Sequence, residues 1–552
     1  MTKLHEWEIW HTYSTYIEST YIDLADCAKR FIEAGLAEFA ILRSGESFWR
    51  TPEGVGKGIS NVELDLVSGG YTYQLKLSKG TEYKPKGFAL EAFGQSMQFL
   101  AGEQIVLGPE SSLSPPYLRA FLGKIVLISK SETEEDSHTL NIYPVLLMYA
   151  TGVLILELRM IGPNHATELA DFITSGVNLF RYRFDRIEVC PGLSREATRA
   201  YYRSGRRWTI WLRLFLLHMQ KRHNLAVLQR TAEQKDDSFS FEMAPLSSTE
   251  PQTLRDVALT IFHVAAFLSK RPREGWGFVL RGQNATPALG EYWSGRPHVH
   301  LVRFDGQAET AQENEKRNYR MFTCILQRVT PSMQSSRTTT LPQTLRLFDD
   351  YGAYVTSAMS LWVWSRRGLR REQPRMDPNR GNLIYERQLV IELLEYGYML
   401  HRSLYHRMEQ LESSDEIAAV RFQTFDLRRR MREASHAGEI RDLLNAGWKE
   451  MSLPELLQDI EVGLSMREND RRTADTTRAT RIGWALTTVF GLVAVPALAE
   501  QLIEPLWKLF RLNTPANPEL EKVISILLAF LIIIPVVGVI TFLSGRKSRS
   551  HL

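Results

Sequence analysis

Two uncharged apolar runs near the C-terminus constrain this 552-residue chain more than any other feature. The runs are Ile482 to Ala499 and Val523 to Leu543, and each is flanked by charged residues. A helix of about 20 apolar residues crosses a hydrocarbon core of roughly 30 Å. Two such runs in succession therefore favour a transmembrane hairpin over two helices buried in a protein core.

Basic residues flank this hairpin on its outer sides and indicate its orientation. They are Arg471, Arg472, Arg478 and Arg481 before the first run, and Arg546 and Lys547 after the second. Because basic residues stay on the cytoplasmic side, we expect an inner-membrane protein in contact with the lipid bilayer. Both termini and the large soluble part then lie in the cytoplasm. The predicted segments are a first span at 482–508, an external loop at 509–521, a second span at 522–545 and a basic tail at 546–552.

The rest of the chain has the composition of ordinary globular protein. Hydrophobic residues make up 44% and charged residues 24%, which excludes a disordered chain and a polytopic transporter. The net charge of +4 is small for a chain of this length and does not indicate a strongly basic surface for nucleic acid. A nucleic-acid partner is therefore not expected. Basic clusters such as Asp426 to Glu433 are interleaved with acids and are interpreted as solvated helix faces. Cys27, Cys190 and Cys324 lack the paired spacing of a zinc knuckle or a disulfide framework.

Hydrophobic periodicity predicts an α+β cytoplasmic region followed by long stalk helices and the C-terminal two-helix transmembrane hairpin. The predicted soluble segments are an α+β domain at 1–232, a polar linker at 233–253, a second mixed α/β region at 254–380 and a helical stalk region at 381–481. The first residues are interpreted as an aromatic helical start. Alternation around turn residues predicts a β-hairpin over 62–77 and buried strands on either side of Thr151 and Gly152.

A long helix is expected to enter the first membrane span from the soluble part. Ser452 and Glu455 have the spacing of a capping box, and Pro454 is tolerated in a first turn. No proline follows before Pro496, so one helix can continue from about Leu453 into the bilayer. Such a stalk would transmit movement of the soluble part to the span.

The sequence contains no catalytic or phosphate-binding motif with the residue spacing that such a motif requires. The glycine cluster at 54–58 lacks the residues that a phosphate-binding loop requires at its two ends. His298 and His300 would project from one face of a strand, where Asp305 could join them at a metal, although an exposed polar strand face is the preferred interpretation. No hydrolase nucleophile motif or zinc-binding helix motif is present, so we do not expect an enzyme.

Small, hydroxyl and acidic residues in and after the first run are the candidates for a pore lining. They are Thr487, Thr488, Gly491, Glu500 and Glu504. Small and hydroxyl residues let helices pack closely and can also line a water-filled pore. The two carboxylates, Glu500 and Glu504, would attract cations at the external opening of that pore. Two helices per chain cannot enclose a pore, so a channel requires a homo-oligomer.

This layout resembles the CorA-type magnesium channel superfamily, through the arginines before the first run and the "GRKSRS" after the second. The resemblance implies five subunits, a cytoplasmic domain and first spans that line a cation path. The chain lacks the Gly-Met-Asn motif that this family places at the external end of its first span.

Alternatives to a channel stay open at the level of the sequence. Divergent CorA-like proteins also resemble membrane effectors of bacterial antiviral defence that respond to a nucleotide signal. A non-conducting membrane anchor for a cytoplasmic binding domain is the other alternative. The ligand of the soluble part is left open between a divalent cation and a nucleotide or another small molecule.

Overall fold

A computed structural model gives the fold of this chain. It describes residues 2–17, 22–51, 54–67, 70–77, 88–107, 115–130, 137–163, 165–203, 244–245, 252–269, 289–290, 293–334, 341–342, 344–345, 349–372, 383–409, 411, 413–432, 438–498, 500–501, 505–506, 519–520 and 522–531. The chain forms two compact units, residues 1–410 with 420–460 and residues 411–419 with 461–552.

The described residues form 17 strands and a set of helices that follow one another along the chain. The strands are β1 Lys3–Tyr16, β2 Ala37–Leu42, β3 Glu46–Thr51, β4 Gly54–Val67, β5 Gly70–Leu77, β6 Tyr117–Leu122, β7 Ile125–Lys130, β8 Ser137–Tyr149, β9 Val153–Ile161, β10 Thr167–Glu168, β11 Arg183–Phe184, β12 Arg186–Val189, β13 Ala244–Pro245, β14 Gln252–Thr253, β15 Trp293–Phe304, β16 Tyr351–Val355 and β17 Ser360–Trp364. The helices are α1 Leu24–Glu33, α2 Phe88–Leu107, α3 Leu169–Asp171, α4 Pro191–Arg203, α5 Leu254–Ser269, α6 Ala311–Gln327, α7 Arg366–Glu372, α8 Leu383–Glu409, α9 Ser414–Arg432, α10 Gly438–Glu450 and α11 Leu453–Leu498. A π-helical turn, Phe172–Val177, and a 3-10 turn, Leu179–Arg181, follow α3.

Most of the described strands belong to one sheet. Its main path runs β16, β17, β15, β1, β9, β8, β6, β2, β3, β4 and β5. Neighbours on this path are antiparallel except β15 and β17, which are parallel. β1 pairs with β9 on one side and with β15 on the other, so the N-terminal strand lies inside the sheet.

The two faces of the sheet pack against different helices. Ile9 and Tyr13 of β1 enter one apolar core together with α1, α5 and α6. Trp10 packs instead against Phe99 of α2 and Tyr385 of α8. Successive side chains of a strand point to opposite faces, so the helices cover the sheet on both sides.

The α+β character predicted from the sequence is confirmed for the described residues. β4 pairs with β5 from Ser60↔Leu77 to Val67↔Gly70, and β8 pairs with β9 around the turn at Gly152. The prediction of a helical start is wrong, because the same residues form β1. Alternating apolar positions and many aromatic and β-branched residues favour a strand there.

Strands from both sides of the predicted linker join the same sheet. Within the linker, β13 pairs with β12, and β14 pairs with β11 in a small separate ladder. Beyond it, β15 runs antiparallel to β1 from Trp293 to Phe304. The two regions at 1–232 and 254–380 therefore share one sheet and one apolar core.

Helix α11 begins at Leu453 and continues to Leu498, which is the start and the continuity that the sequence predicts. Ser452 has a φ of 55°, a left-handed conformation that differs from the extended backbone of a capping-box residue. Among the described residues, no helix combines the length and the apolar character needed to cross a membrane. Both predicted spans, 482–508 and 522–545, include residues outside the described part.

Gly152→Ala tests the turn between β8 and β9. Gly152 has a φ of 94°, and a Cβ there would lie 2.8 Å from the carbonyl oxygen of Ile17. We expect the free energy of unfolding to fall by about 1–3 kcal/mol, because alanine combines backbone strain with a steric overlap.

Gly94→Ala in α2 is the control, since its Cβ meets no atom within 4 Å. Alanine should stabilise that helix by about 0.5–1 kcal/mol. Chemical denaturation measures both changes, and a Gly152→Ala protein as stable as the wild type would contradict the prediction.

Candidate functional site

A layer of buried polar side chains separates helix α8 from the sheet. The sheet contributes Arg119, Glu157, Arg159, Arg296, His298, His300 and the partly buried Glu8, and α8 contributes Gln388, Glu392 and Glu395. Register across β15, β1, β9, β8 and β6 places the sheet residues on the same face, because directly opposite residues share a face. These residues are called the polar layer below.

The guanidinium of Arg119 lies at the centre of the polar layer. Its two terminal nitrogens donate to both carboxylate oxygens of Glu392, at 2.7 and 2.6 Å. A Glu157 oxygen lies 3.9 Å from the same guanidinium, and the other Glu157 oxygen accepts a hydrogen bond from the Gln388 amide. The ring of Phe99 lies 3.6 Å from the Arg119 guanidinium carbon. These groups are shielded from solvent, so their charges interact strongly.

One guanidinium does not neutralise two buried carboxylates, so protonation of one of the two is favoured. Burial and the neighbouring Glu392 raise the pKa of Glu157 well above its ordinary value of 4.5, against the influence of Arg119. Burial also raises the pKa of Glu392, which Arg119 opposes. Glu392 has the two-pronged contact with Arg119, whereas one oxygen of Glu157 has no hydrogen-bond donor. The raised pKa and the oxygen without a donor favour Glu157 as the carboxyl group that is protonated.

Two further ion pairs lie in the polar layer. Arg159 donates to both carboxylate oxygens of Glu8, at 3.0 and 2.8 Å. Burial raises the pKa of Glu8, but Arg159, His300 and the Trp10 N–H together outweigh burial, and the pKa is lowered. Glu395 of α8 accepts a hydrogen bond from Ser14 at 3.0 Å and lies 3.8 Å from Arg296. Helix α8 is thus held to the sheet through Glu395 as well as through Glu392.

His298 and His300 belong to the polar layer, so the interpretation as an exposed strand face is wrong. Their side chains are 3% and 0% exposed. His298 Nδ1 lies 2.8 Å from the Ser360 hydroxyl, and the His300 ring stacks on Trp362. Burial lowers the pKa of His298 well below its ordinary value and the pKa of His300 to about 4. Both rings are therefore neutral at pH 7.

Asp305 does not join these histidines. It follows β15, is about half exposed, and contacts His5 at 2.8 Å and the backbone N–H of Lys3 at 3.3 Å. Among the described residues, no group of three or more His, Cys, Asp or Glu side chains is arranged to hold a metal ion. The structure separates the members of the candidate metal site.

The membrane candidates lie on helix α11 or beyond it. Arg471, Arg472, Arg478 and Arg481 are exposed. Thr487, Thr488 and Gly491 belong to α11, but their surroundings lie outside the described part. Glu500 is exposed, and Glu504, Arg546 and Lys547 lie outside the described residues.

The polar layer has a signal in the sequence that periodicity alone does not reveal. Ionisable residues stand inside apolar strands, as Arg119 does in "YLRAFL" and as Glu157 and Arg159 do in "VLILELRMI". Helix α8 repeats the feature with Glu392 and Glu395 in "LVIELLEYGYML". Charged side chains at core positions need partners of opposite charge, so these segments predict contacts with one another.

Chemically, the polar layer holds helix α8 in place and raises the pKa of a buried carboxyl group. Its ionisable groups are closed off from solvent, so proton release from Glu157 requires movement of the surrounding groups or a rise in pH. Such a group can couple protonation to the position of a structural element. Comparison with protein-family models, curated protein sequences and solved structures finds no match to this chain.

Glu157→Gln tests the protonation of Glu157, because the amide keeps a hydrogen-bond donor but does not titrate. A folded pKa above the unfolded value gives stability that is fully present below the unfolded pKa of about 4.5. That contribution is lost as the pH rises through the folded pKa. As the pH rises above about 4.5, we therefore expect the Tm of the wild type to fall more steeply than the Tm of Glu157→Gln. Glu309→Gln, in an exposed pair with Arg370, is the control and should follow the wild type. Parallel Tm curves for Glu157→Gln and the wild type would contradict a protonated Glu157.

Arg119→Met tests the ion pair itself. The substitution leaves Glu392 buried without its cation, so we expect the free energy of unfolding to fall by about 3–5 kcal/mol. Arg370→Met removes an exposed pair with Glu309 and should cost at most about 1 kcal/mol. The double change Arg119→Met with Glu392→Leu should recover much of the loss, because it removes both charges. Equal costs for Arg119→Met and Arg370→Met in urea unfolding would show that the buried pair does not hold α8.

Proposed function

We propose that this chain is an oligomeric, CorA-like membrane protein, in which a cytoplasmic sheet domain controls a C-terminal hairpin that forms a cation path. The two runs at 482–499 and 523–543 supply the spans in this proposal. The sheet domain with its polar layer supplies the sensing part, whose ligand is a divalent cation or a nucleotide. The support comes from the sequence and from the surface of α11.

A stripe of exposed apolar side chains on α11 carries the proposal. Its members are Ile482, Leu486, Val489, Phe490 and Val493, which are 51–70% exposed. Their spacing of three or four residues lines them up along the helix. Val523, Leu527 and Leu531 continue the same character in the helical residues 522–531. Exposed apolar surface of this extent is rare on soluble monomers and favours lipid or neighbouring subunits as its cover.

Charge changes abruptly where the stripe begins. Exposed arginines occupy α11 up to Arg481, and the stripe follows directly from Ile482. A helix that passes from a cytoplasmic surface into hydrocarbon has this order of residues. The order supports an orientation with the sheet domain in the cytoplasm.

Conduction in this proposal requires several copies of the chain. The first spans then surround an axis with Thr487, Thr488 and Gly491, and Glu500 and Glu504 form an acidic outer mouth. A non-conducting anchor shares the hairpin but needs no ring. Subunit number therefore separates the two functions.

Membrane insertion is the first expected outcome to measure. Full-length protein should stay in the membrane pellet after alkaline carbonate extraction. Val489→Asp with Val493→Asp should release it, because an aspartate near the centre of a span costs about 2.5–3.5 kcal/mol. Thr477→Asp, an exposed position of α11 before the stripe, is the matched control and should stay in the pellet. Release of the wild-type chain would overturn the hairpin.

Mass and flux then separate a channel from an anchor. A closed ring of about five subunits in detergent supports the channel, whereas a monomer or dimer favours the anchor. Glu500→Gln and Thr488→Leu should each lower cation flux in liposomes, while Glu455→Gln at the exposed start of α11 should not. Unchanged flux in both pore variants would remove the pore assignment.

A further inference from the structure

A second exposed apolar surface lies on helix α9, outside the C-terminal runs. Phe422 and Phe425 are 70% and 66% exposed, whereas Val420 and Thr424 on the same helix are 1% and 3% exposed. Successive residues turn by about 100° around a helix axis, so the two phenylalanines lie roughly 60° apart. One side of α9 is therefore packed into the protein, and the opposite side presents two aromatic rings.

The segment of α9 that carries these two rings is rich in arginine. The sequence from Arg421 to Glu433 holds five arginines and two acids. Arg421 and Arg429 are exposed, and Arg429 also donates a hydrogen bond to Asp426 at 2.8 Å. Arg429 follows Phe422 by two turns, so it lies on the same side of the helix.

We propose that helix α9 docks on the cytoplasmic leaflet of the membrane through Phe422, Phe425 and the neighbouring arginines. The partner is a lipid surface with anionic headgroups. Aromatic rings enter the boundary between headgroups and acyl chains, while guanidiniums bind the lipid phosphates. The inference rests on the proposed function, because the proposed orientation places α9 on the side where the leaflet carries anionic lipid.

Charge complementarity favours this partner over a second copy of the chain. Two copies that met through this surface would bring arginine-rich faces together, which is unfavourable. An anionic headgroup layer instead matches the positive charge around the rings. The surface is also too charged to enter the hydrocarbon, so α9 would lie in the plane of the membrane rather than cross it.

A fluorophore on α9 in the full-length chain tests the proposal. Phe422→Cys carries an environment-sensitive label while Phe425 stays in place. Gln423→Cys is the matched control, because Gln423 is exposed on the same helix about 100° away. The native thiols of Cys27, Cys190 and Cys324 are buried, and burial raises the pKa of each, so they react slowly with the label.

The labelled protein is placed in vesicles of phosphatidylcholine alone or of phosphatidylcholine with phosphatidylserine. Both contain a lipid with a quencher in its acyl chain. We expect strong quenching at position 422 and weak quenching at position 423 in the anionic vesicles. The difference should be lost in neutral vesicles, and Phe425→Ser in the Phe422→Cys background should reduce the quenching.

Three results would overturn the docking. They are equal quenching at 422 and 423, equal quenching in the two lipid mixtures, and an emission change without vesicles that grows with protein concentration. The last result would identify a second copy as the partner. Carbonate extraction of the same samples tests the hairpin separately. If carbonate extracts the protein but the label at position 422 is quenched by lipid, α9 docks on the membrane and the hairpin is refuted. If the protein resists extraction but the label is not quenched, the hairpin stands and the docking of α9 is refuted.

Discussion

The arrangement of the sheet domain depends on one buried guanidinium that two carboxylates share. Arg119 comes from β6, Glu157 from β9 and Glu392 from α8, so the cluster joins separate strands to the helix that covers them. A two-pronged guanidinium–carboxylate contact has a narrow range of geometries. It therefore fixes both the rotation of α8 and its position along the sheet, which an apolar contact of similar size would specify less sharply.

A buried ion pair is an energetically costly way to hold a helix to a sheet. Buried ion pairs lose their hydration, and apolar side chains of similar volume often replace them without loss. The opposite face of the same sheet uses that alternative, with an apolar core shared by α1, α5 and α6. Stability alone does not explain why the α8 face differs. A defined position of α8, set by the two-pronged contact between Arg119 and Glu392, explains the difference better.

Local patterns predict several of the elements, although not the N-terminal strand β1, whereas the site depends on contacts between distant parts of the chain. Alternation and turn residues are enough for the hairpin at 62–77, and helix α11 begins at Leu453 as predicted, although Ser452 does not have capping-box geometry. Arg119 and Glu392 are 273 positions apart, and no local pattern contains such a contact. His298 and His300 were assigned correctly to one strand, because alternation shows which residues share a face. It does not show which helix covers that face, so their burial could not be predicted.

The exposed apolar surfaces on α11 and α9 differ in their charge and packing. The stripe on α11 lies in a run without charge, so all sides of that segment are compatible with hydrocarbon. On α9, by contrast, arginines border the two phenylalanines and the other side is packed into the protein. A charged residue at the centre of a bilayer is costly, whereas the same residue at the headgroups gains phosphate contacts. The arginines that exclude α9 from the hydrocarbon are therefore the groups that would hold it at the membrane surface.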